Sequence, residues 1–130
     1  MALRQAGRTA IANAIRTLDA FRHGNLSGGA PGSPYDTGRL PSGSGYGAAV
    51  ARGHMLYVIR SYGTPIAWLE WRPGGRRIWV MPDARYSATT TNHQNVVRAE
   101  LHYAGQDANT SYVVRDGTIN DRDYSDAIAA

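Results

Sequence analysis

The 130-residue chain lacks cysteine and lysine, and it has no long apolar run. Without cysteine, disulfides and thiolate metal sites are excluded, and the composition fits a reducing compartment. Because no stretch of about 18 apolar residues occurs, no membrane-spanning helix is predicted. The N-terminal segment turns charged at Arg4 before any apolar stretch, so we expect no secretory signal and a cytoplasmic location.

All fourteen basic side chains other than histidine are arginines, and the formal net charge is +4. Residues 1–98 carry 12 arginines and four carboxylates, whereas residues 99–130 carry two arginines and six carboxylates. A basic body followed by an acidic tail can bind polyanions, and the planar guanidinium suits phosphate and aromatic contacts. The alternatives are a solvated surface with internal pairing, and a GC-rich coding bias that favours arginine, alanine and glycine together.

Residues 1–130 are predicted to form a single domain that starts with an amphipathic helix over residues 2–22. Its apolar residues recur near a 3.6-residue period. They are Leu3, Ile11, Ile15, Leu18 and Phe21. We expect this stripe to pack on a sheet and the helix to stop at His23-Gly24-Asn25, with Gly24 left-handed.

Residues 24–53 are rich in glycine, serine and proline. This composition predicts a long loop, which is unusual in a compact domain. It is either mobile or a wrapping segment held by a few anchors such as Leu26, Tyr35 and Leu40.

Residues 55–103 are predicted to form the core, with a sheet followed by a second helix. Strands are expected at 55–61, 66–71 and 77–81 as an antiparallel meander, with Pro65 at an edge, a bulge or a strand start. After an extended stretch to Thr90, Thr91 and Gln94 have the spacing of a capping box. The second helix should therefore start after Thr91 and end near residue 103.

Asp-Gly at 116–117 predicts a hairpin over residues 111–119, followed by a polar tail over 120–130. Together these elements predict an α+β fold: a small antiparallel meander, an N-terminal amphipathic helix, a second helix and a long glycine-rich loop.

The histidines at 23, 54, 93 and 102 are scattered, and none form an i, i+4 pair, so no metal or other cofactor is predicted. The best catalytic constellation is Tyr86, Ser87, Thr90 and His93 at a strand-to-helix junction. A helix N-terminus can hold an anion, and His93 could act there as an acid or base. The alternative is that His93 is a surface residue of a capped helix.

Aromatic side chains and arginines interleave over residues 57–86, a pattern typical of surfaces that bind single-stranded nucleic acid. Alternation puts Trp68 and Trp71 on opposite faces, so at least one of them should enter the core. The predicted nucleic-acid or partner-binding residues are Arg60, Tyr62, Trp68, Arg72, Arg76, Arg77, Arg85 and His93. The same surface could instead bind a host protein, and a third interpretation is a small enzyme centred on His93.

A resemblance to a known family is carried by SYGTPIAW at 61–68, the short strand with Trp79, YSATTTNHQ at 86–94, and the upstream glycine segments LSGG at 26–29 and TGRL at 37–40. The chain resembles an uncharacterised family of small proteins from actinobacteriophages and related mobile elements. The resemblance implies an accessory protein made inside an infected bacterial cell, and it carries no activity. At Thr91 that family more often has serine, which would keep the cap. The sequence thus predicts a non-enzymatic, phage-type binding module with DNA, RNA or a host protein as its partner.

Overall fold

The structure, a computed structural model, describes the backbone of residues 5–32, 38, 46–72, 75–83, 88–104 and 110–116. Its elements in chain order are α1 (Gln5–Thr17), β1 (Phe21–His23), β2 (Leu26–Gly29), α2 (Tyr46–Ala51), β3 (Met55–Ser61), β4 (Thr64–Arg72), β5 (Arg76–Asp83), α3 (Ala88–Ala104) and β6 (Thr110–Asp116). The predicted tail over 120–130 and the anchors Tyr35 and Leu40 lie outside the described residues.

The strands form one sheet in sequence order from β1 to β6. The first five are antiparallel neighbours, which confirms the predicted meander and the α+β class. Pro65 pairs with Arg60 beside a register irregularity of the ladder. Proline has no N–H to donate, and a bulge at this place accommodates the missing donor.

Strand β6 was not predicted in its observed place, because it pairs in parallel with β5. Helix α3 supplies the crossover that parallel neighbours require. The turn at 116–117 and the second arm of the predicted hairpin lie outside the described residues, so the hairpin stays a prediction.

Helix α1 ends well before the predicted residue 22, because Leu18 takes a left-handed conformation with φ of 59°. The Asp19 N–H donates to the Ala14 carbonyl (2.9 Å) and the Leu18 N–H donates to the Ile15 carbonyl (3.4 Å). These bonds form a Schellman motif, which usually has glycine at the left-handed position. Leu18 packs against the core, and this burial offsets the backbone cost. The predicted stop at Gly24 is wrong; that glycine lies in the β1–β2 turn with φ of 60°.

The glycine-rich segment is not one continuous loop, since it contains β2 and α2. Leu26 is fully buried, as the anchoring interpretation predicted. Gly28 is required by close packing, because a Cβ there would collide with the Phe21 ring and the Tyr57 hydroxyl oxygen. The Tyr57 hydroxyl donates to the Asp19 carbonyl (2.6 Å), and burial raises the pKa of Tyr57 to about 12.

Helix α3 begins at Ala88, so the extended conformation predicted up to Thr90 and the capping box predicted at Thr91 are both wrong. Thr90 is buried in the first turn and its hydroxyl lies 3.0 Å from the Ser61 hydroxyl. Capping preferences consider only neighbours in the sequence, so they do not predict that Thr90 makes this tertiary contact from within the helix.

Separate apolar clusters cover the two faces of the sheet. The first packs α1 and α3 on the sheet and contains Ile11, Ile15, Leu26, Tyr57, Ile59, Ile66, Ala67, Leu69, Trp79, Met81, Val97 and Leu101. The second packs α2 on the opposite face and contains Tyr46, Ala49, Met55, Val58, Trp68, Ile78 and Val80. Because the central strands are covered on both faces, the ends of the sheet, rather than its faces, offer surface to a ligand.

Candidate functional site

The predicted binding residues separate to opposite ends of the sheet. Arg60 pairs with Pro65 beside the β3–β4 turn, whereas Arg72 pairs with Arg76 at the β4–β5 turn. Between these two pairs β4 runs for about 20 Å, at roughly 3.3 Å per residue. The predicted residues therefore do not form one patch, and Arg85 lies outside the described residues.

Trp68 lies in the core and not on a surface. Its ring is fully buried and meets the Tyr46 ring edge to face, with centroids 5.2 Å apart. Its indole N–H donates to Oε1 of Glu70 (3.1 Å). We therefore remove Trp68 from the binding residues.

Arg60 connects α2 to the β3–β4 turn. Its guanidinium donates to the Tyr46 hydroxyl (2.7 Å) and to the Gly63 carbonyl (3.0 Å), and it lies 5.7 Å from the centroid of the Tyr46 ring. These contacts give Arg60 a role in holding elements together.

A buried polar group that we call the His93 cluster joins β3 to α3. It consists of Ser61, Thr90 and His93, whose residues are at most 6% exposed. The Ser61 hydroxyl oxygen lies 2.7 Å from His93 Nδ1 and 3.0 Å from the Thr90 hydroxyl oxygen. Burial lowers the pKa of His93 below its usual 6.5, which favours the neutral imidazole. A neutral Nδ1 can accept a hydrogen bond from Ser61 while Ser61 accepts one from Thr90.

Tyr62 covers this cluster from the β3–β4 turn. Its ring stacks on His93 with centroids 6.1 Å apart and planes at 30°, and the residue is 55% exposed. Tyr62 and Gly63 both have positive φ, 51° and 80°, as a type I′ hairpin turn requires. Tyrosine is unfavourable at the first position, where asparagine or glycine is usual.

The His93 cluster holds a hydroxyl and an imidazole, two groups used in nucleophilic catalysis. However, Ser61 is only 1% exposed, and its hydroxyl is already engaged by two neighbours. An attacking oxygen has to reach its substrate, so this arrangement fits a structural link better than a catalytic pair.

The opposite end of the sheet carries a surface that we call the basic end: Arg52, His54, Trp71, Arg76 and Arg77. The Trp71 N–H donates to the His54 carbonyl (2.8 Å), and the two rings meet edge to face at 5.9 Å. Trp71 pairs directly with Arg77 across the β4–β5 ladder, so their side chains share one face. The result is an exposed ring with Arg77 beside it, whereas alternation places Arg76 on the opposite face of the sheet.

Arginines dominate the charge at the basic end. Arg52 is exposed and lies two positions before His54, while Arg76 and Arg77 are half-buried. The backbone of Arg72 pairs with Arg76, which brings a fourth arginine position to this end. In β4 the nearest acidic residue is Glu70, which is fully buried, and in β5 Asp83 lies at the far end of the strand. Among the described residues, positive charge is thus concentrated at the basic end.

The sequence predicted that Arg72, Arg76 and Arg77 lie near one another, because a short turn joins their strands. It did not select Arg52, His54 or Trp71 as site residues. Alternation alone indicated that Trp71 is opposite the buried Trp68 face. Nothing in the sequence indicated that the segment after α2 meets the β4–β5 turn.

Within the described residues, no group of three or more histidine, cysteine or carboxylate side chains is placed to hold a metal ion. Among those residues, no helix is long and apolar enough to cross a membrane.

A family model described as a family of unknown function, DUF8033, matches residues 5–115. No curated protein and no solved structure matches the chain.

Proposed function

The chain belongs to DUF8033, a family of unknown function, and from its geometry we propose that it is a non-enzymatic module that binds nucleic acid through the basic end. We further propose an accessory role of phage type in the cytoplasm of an infected bacterium. The phage context is supported by the resemblance carried by residues 61–68 and 86–94.

One observation carries the proposal: the β4–β5 ladder places Trp71 opposite Arg77. The exposed Arg52 lies two positions before His54, which contacts Trp71. Guanidinium groups contact phosphates with planar, two-pronged hydrogen bonds. Sequence-independent attraction to phosphates supplies most of the affinity in non-specific nucleic-acid binding.

A host protein is the rival partner for the same surface. Interfaces between proteins are also enriched in tryptophan and arginine, so residue type alone does not separate the two partners, but the long-chain charged side chains of the basic end are all positive. The local charge therefore favours a polyanion. Salt dependence separates the two partners, because contacts with phosphates release counterions and most protein interfaces do not.

The test is fluorescence anisotropy of a labelled oligonucleotide at increasing salt, with the full chain as titrant. If Arg52, Arg76 and Arg77 each neutralise one phosphate, the log–log slope should be roughly −2 to −3. Affinity should then fall about 15- to 65-fold between 50 and 200 mM salt.

A matched pair of double variants locates the site. Arg76→Gln with Arg77→Gln should weaken binding and reduce the magnitude of the slope by about 2. Arg22→Gln with Arg98→Gln removes the same charge from exposed residues of β1 and α3 and should leave most of the affinity. Equal losses in the two double variants would show that net charge, and not the basic end, governs binding. Binding to a protein partner that salt and nuclease leave unchanged would favour the rival.

A further inference from the structure

The indole of Trp71 is the chemically most distinctive feature of the basic end. The other two tryptophans, Trp68 and Trp79, are 0% and 3% exposed, whereas Trp71 is 43% exposed. A half-uncovered indole forgoes much of the free energy that burial of such a ring provides. Trp71 therefore keeps apolar ring surface that a bound ligand could cover.

The backbone of Trp71 is positioned by two neighbouring segments before any ligand arrives. Its backbone N–H is fixed to the His54 carbonyl at 2.8 Å, and Arg77 lies directly across the ladder. The imidazole of His54 meets the indole at 63° with centroids 5.9 Å apart. Because this contact is edge to face, it occupies at most one face of the indole.

Resting on the proposed function, we infer that the basic end selects single-stranded nucleic acid and stacks one unpaired base on the indole of Trp71, which is 43% exposed. Arginines alone attract single strands and duplexes alike, since both present phosphates. In a duplex, the faces of the bases are already stacked on their neighbours. An unpaired base can stack on an aromatic side chain, and the contact tolerates any base because each has a π-face.

The expected preference follows from the strength of one such contact. Stacking of one base on an aromatic residue changes affinity by about 5- to 150-fold. At matched length and salt, the full chain should bind oligo-dT or oligo-rU more tightly than a duplex by a factor in this range. Tighter binding of either oligo-dT or oligo-rU than of the duplex supports the inference. The strand that binds more tightly shows whether DNA or RNA is the preferred ligand.

Three variants test the role of the ring. Trp71→Leu keeps an apolar side chain without a π-face and should reduce the preference for single strands to near unity, because the affinity for single strands falls by the stacking factor. Trp71→Phe should keep part of the preference. Leu56→Ala is the control, because Leu56 is similarly exposed at 40% and has no ring. The single strand should quench tryptophan fluorescence in the wild type and not in Trp71→Phe, whose remaining tryptophans are buried.

The outcomes separate this inference from the proposed function. Salt-dependent binding with no preference for single strands, or a preference that Trp71→Leu retains, would overturn the stacking inference and leave the proposed function standing. Absence of binding to every probe at low salt would overturn both.

Discussion

The Ser61 hydroxyl oxygen lies 2.7 Å from Nδ1 of His93, and this contact joins the end of β3 to the second turn of α3. Both residues are buried, so neither exchanges its partner for water without cost. The contact helps to set where α3 starts on the sheet.

Ser61→Ala should therefore destabilise the protein by about 1–3 kcal/mol, because it leaves the buried Nδ1 of His93 without its hydrogen-bond partner. Ser27→Ala is the control, since Ser27 lies on the neighbouring strand β2 and is only half-buried. Urea unfolding measures both changes. A cost at Ser61 no greater than that at Ser27 would mean that the contact contributes little.

The stability of the protein should fall as the pH drops below about 6.5, in part because of His93. Burial lowers the pKa of His93 in the folded state, so between the two pKa values the unfolded chain binds the proton and the folded chain does not. Linkage then favours unfolding as the pH decreases through this window. His93→Gln should have a shallower dependence than the wild type between pH 7 and 5. Superimposable slopes in urea unfolding at each pH would contradict the role of His93.

Tyr62 should carry measurable backbone strain, since its φ is 51° in a position that asparagine tolerates. Tyr62→Asn and Tyr62→Ala both remove the ring that stacks on His93, but only the first relieves the strain. Tyr62→Asn should be more stable than Tyr62→Ala by about 1 kcal/mol. Equal stability of the two variants in thermal unfolding would argue against strain at this turn.

Gly28→Ala should be strongly destabilising, by about 1–3 kcal/mol, since overpacking forces neighbours off their positions. The new methyl group would collide with the Phe21 ring and with the Tyr57 hydroxyl that bonds to Asp19. Gly29→Ala is a matched control on the same strand, because its methyl group would make only an ordinary contact with Ala20 at 3.8 Å. Similar stabilities of the two variants in urea would indicate that Phe21 and Tyr57 adjust freely.

Replacement by glutamine should lower stability at Arg60 and nucleic-acid affinity at Arg77. Arg60→Gln loses bonds to the Tyr46 hydroxyl and the Gly63 carbonyl and should cost about 1–3 kcal/mol of stability. It should leave nucleic-acid affinity nearly unchanged. Arg77→Gln should weaken binding and leave stability nearly unchanged. A loss of affinity in Arg60→Gln equal to that in Arg77→Gln would extend the binding surface to the far end of the sheet.

Much of the central sheet was predictable, because alternation and turn residues are local signals. The strands around Arg60, Trp68 and Trp79 were placed within a few residues of their observed bounds. The helix end and the strand that were predicted wrongly have a common cause. Leu18 ends α1 in a conformation that is disfavoured locally, and Gly28 belongs to a strand despite its low β-propensity, since each is stabilised by partners distant in the sequence.

In the candidate site, too, relationships between residues close in sequence were predictable, and those between distant residues were not. The arginines around the β4–β5 turn are close in sequence and were identified together, whereas Arg60 was grouped with them although the length of β4 separates them. Ser61 and His93 are 32 positions apart, and no spacing rule connects them. His54 meets Trp71 because the segment after α2 runs beside the end of β4, and no local pattern predicts that.

Residue order alone determined the chemical character of this protein: arginine as its only long-chain cation, no thiol chemistry, and aromatic strands that alternate between two faces. Which rings are buried and which arginines gather was decided by tertiary packing. The reason is that helices on both faces of the sheet cover Trp68 and Trp79 and leave Trp71 at an uncovered end. Burial depends on what packs against a strand from elsewhere in the chain, and alternation within the strand does not contain that information.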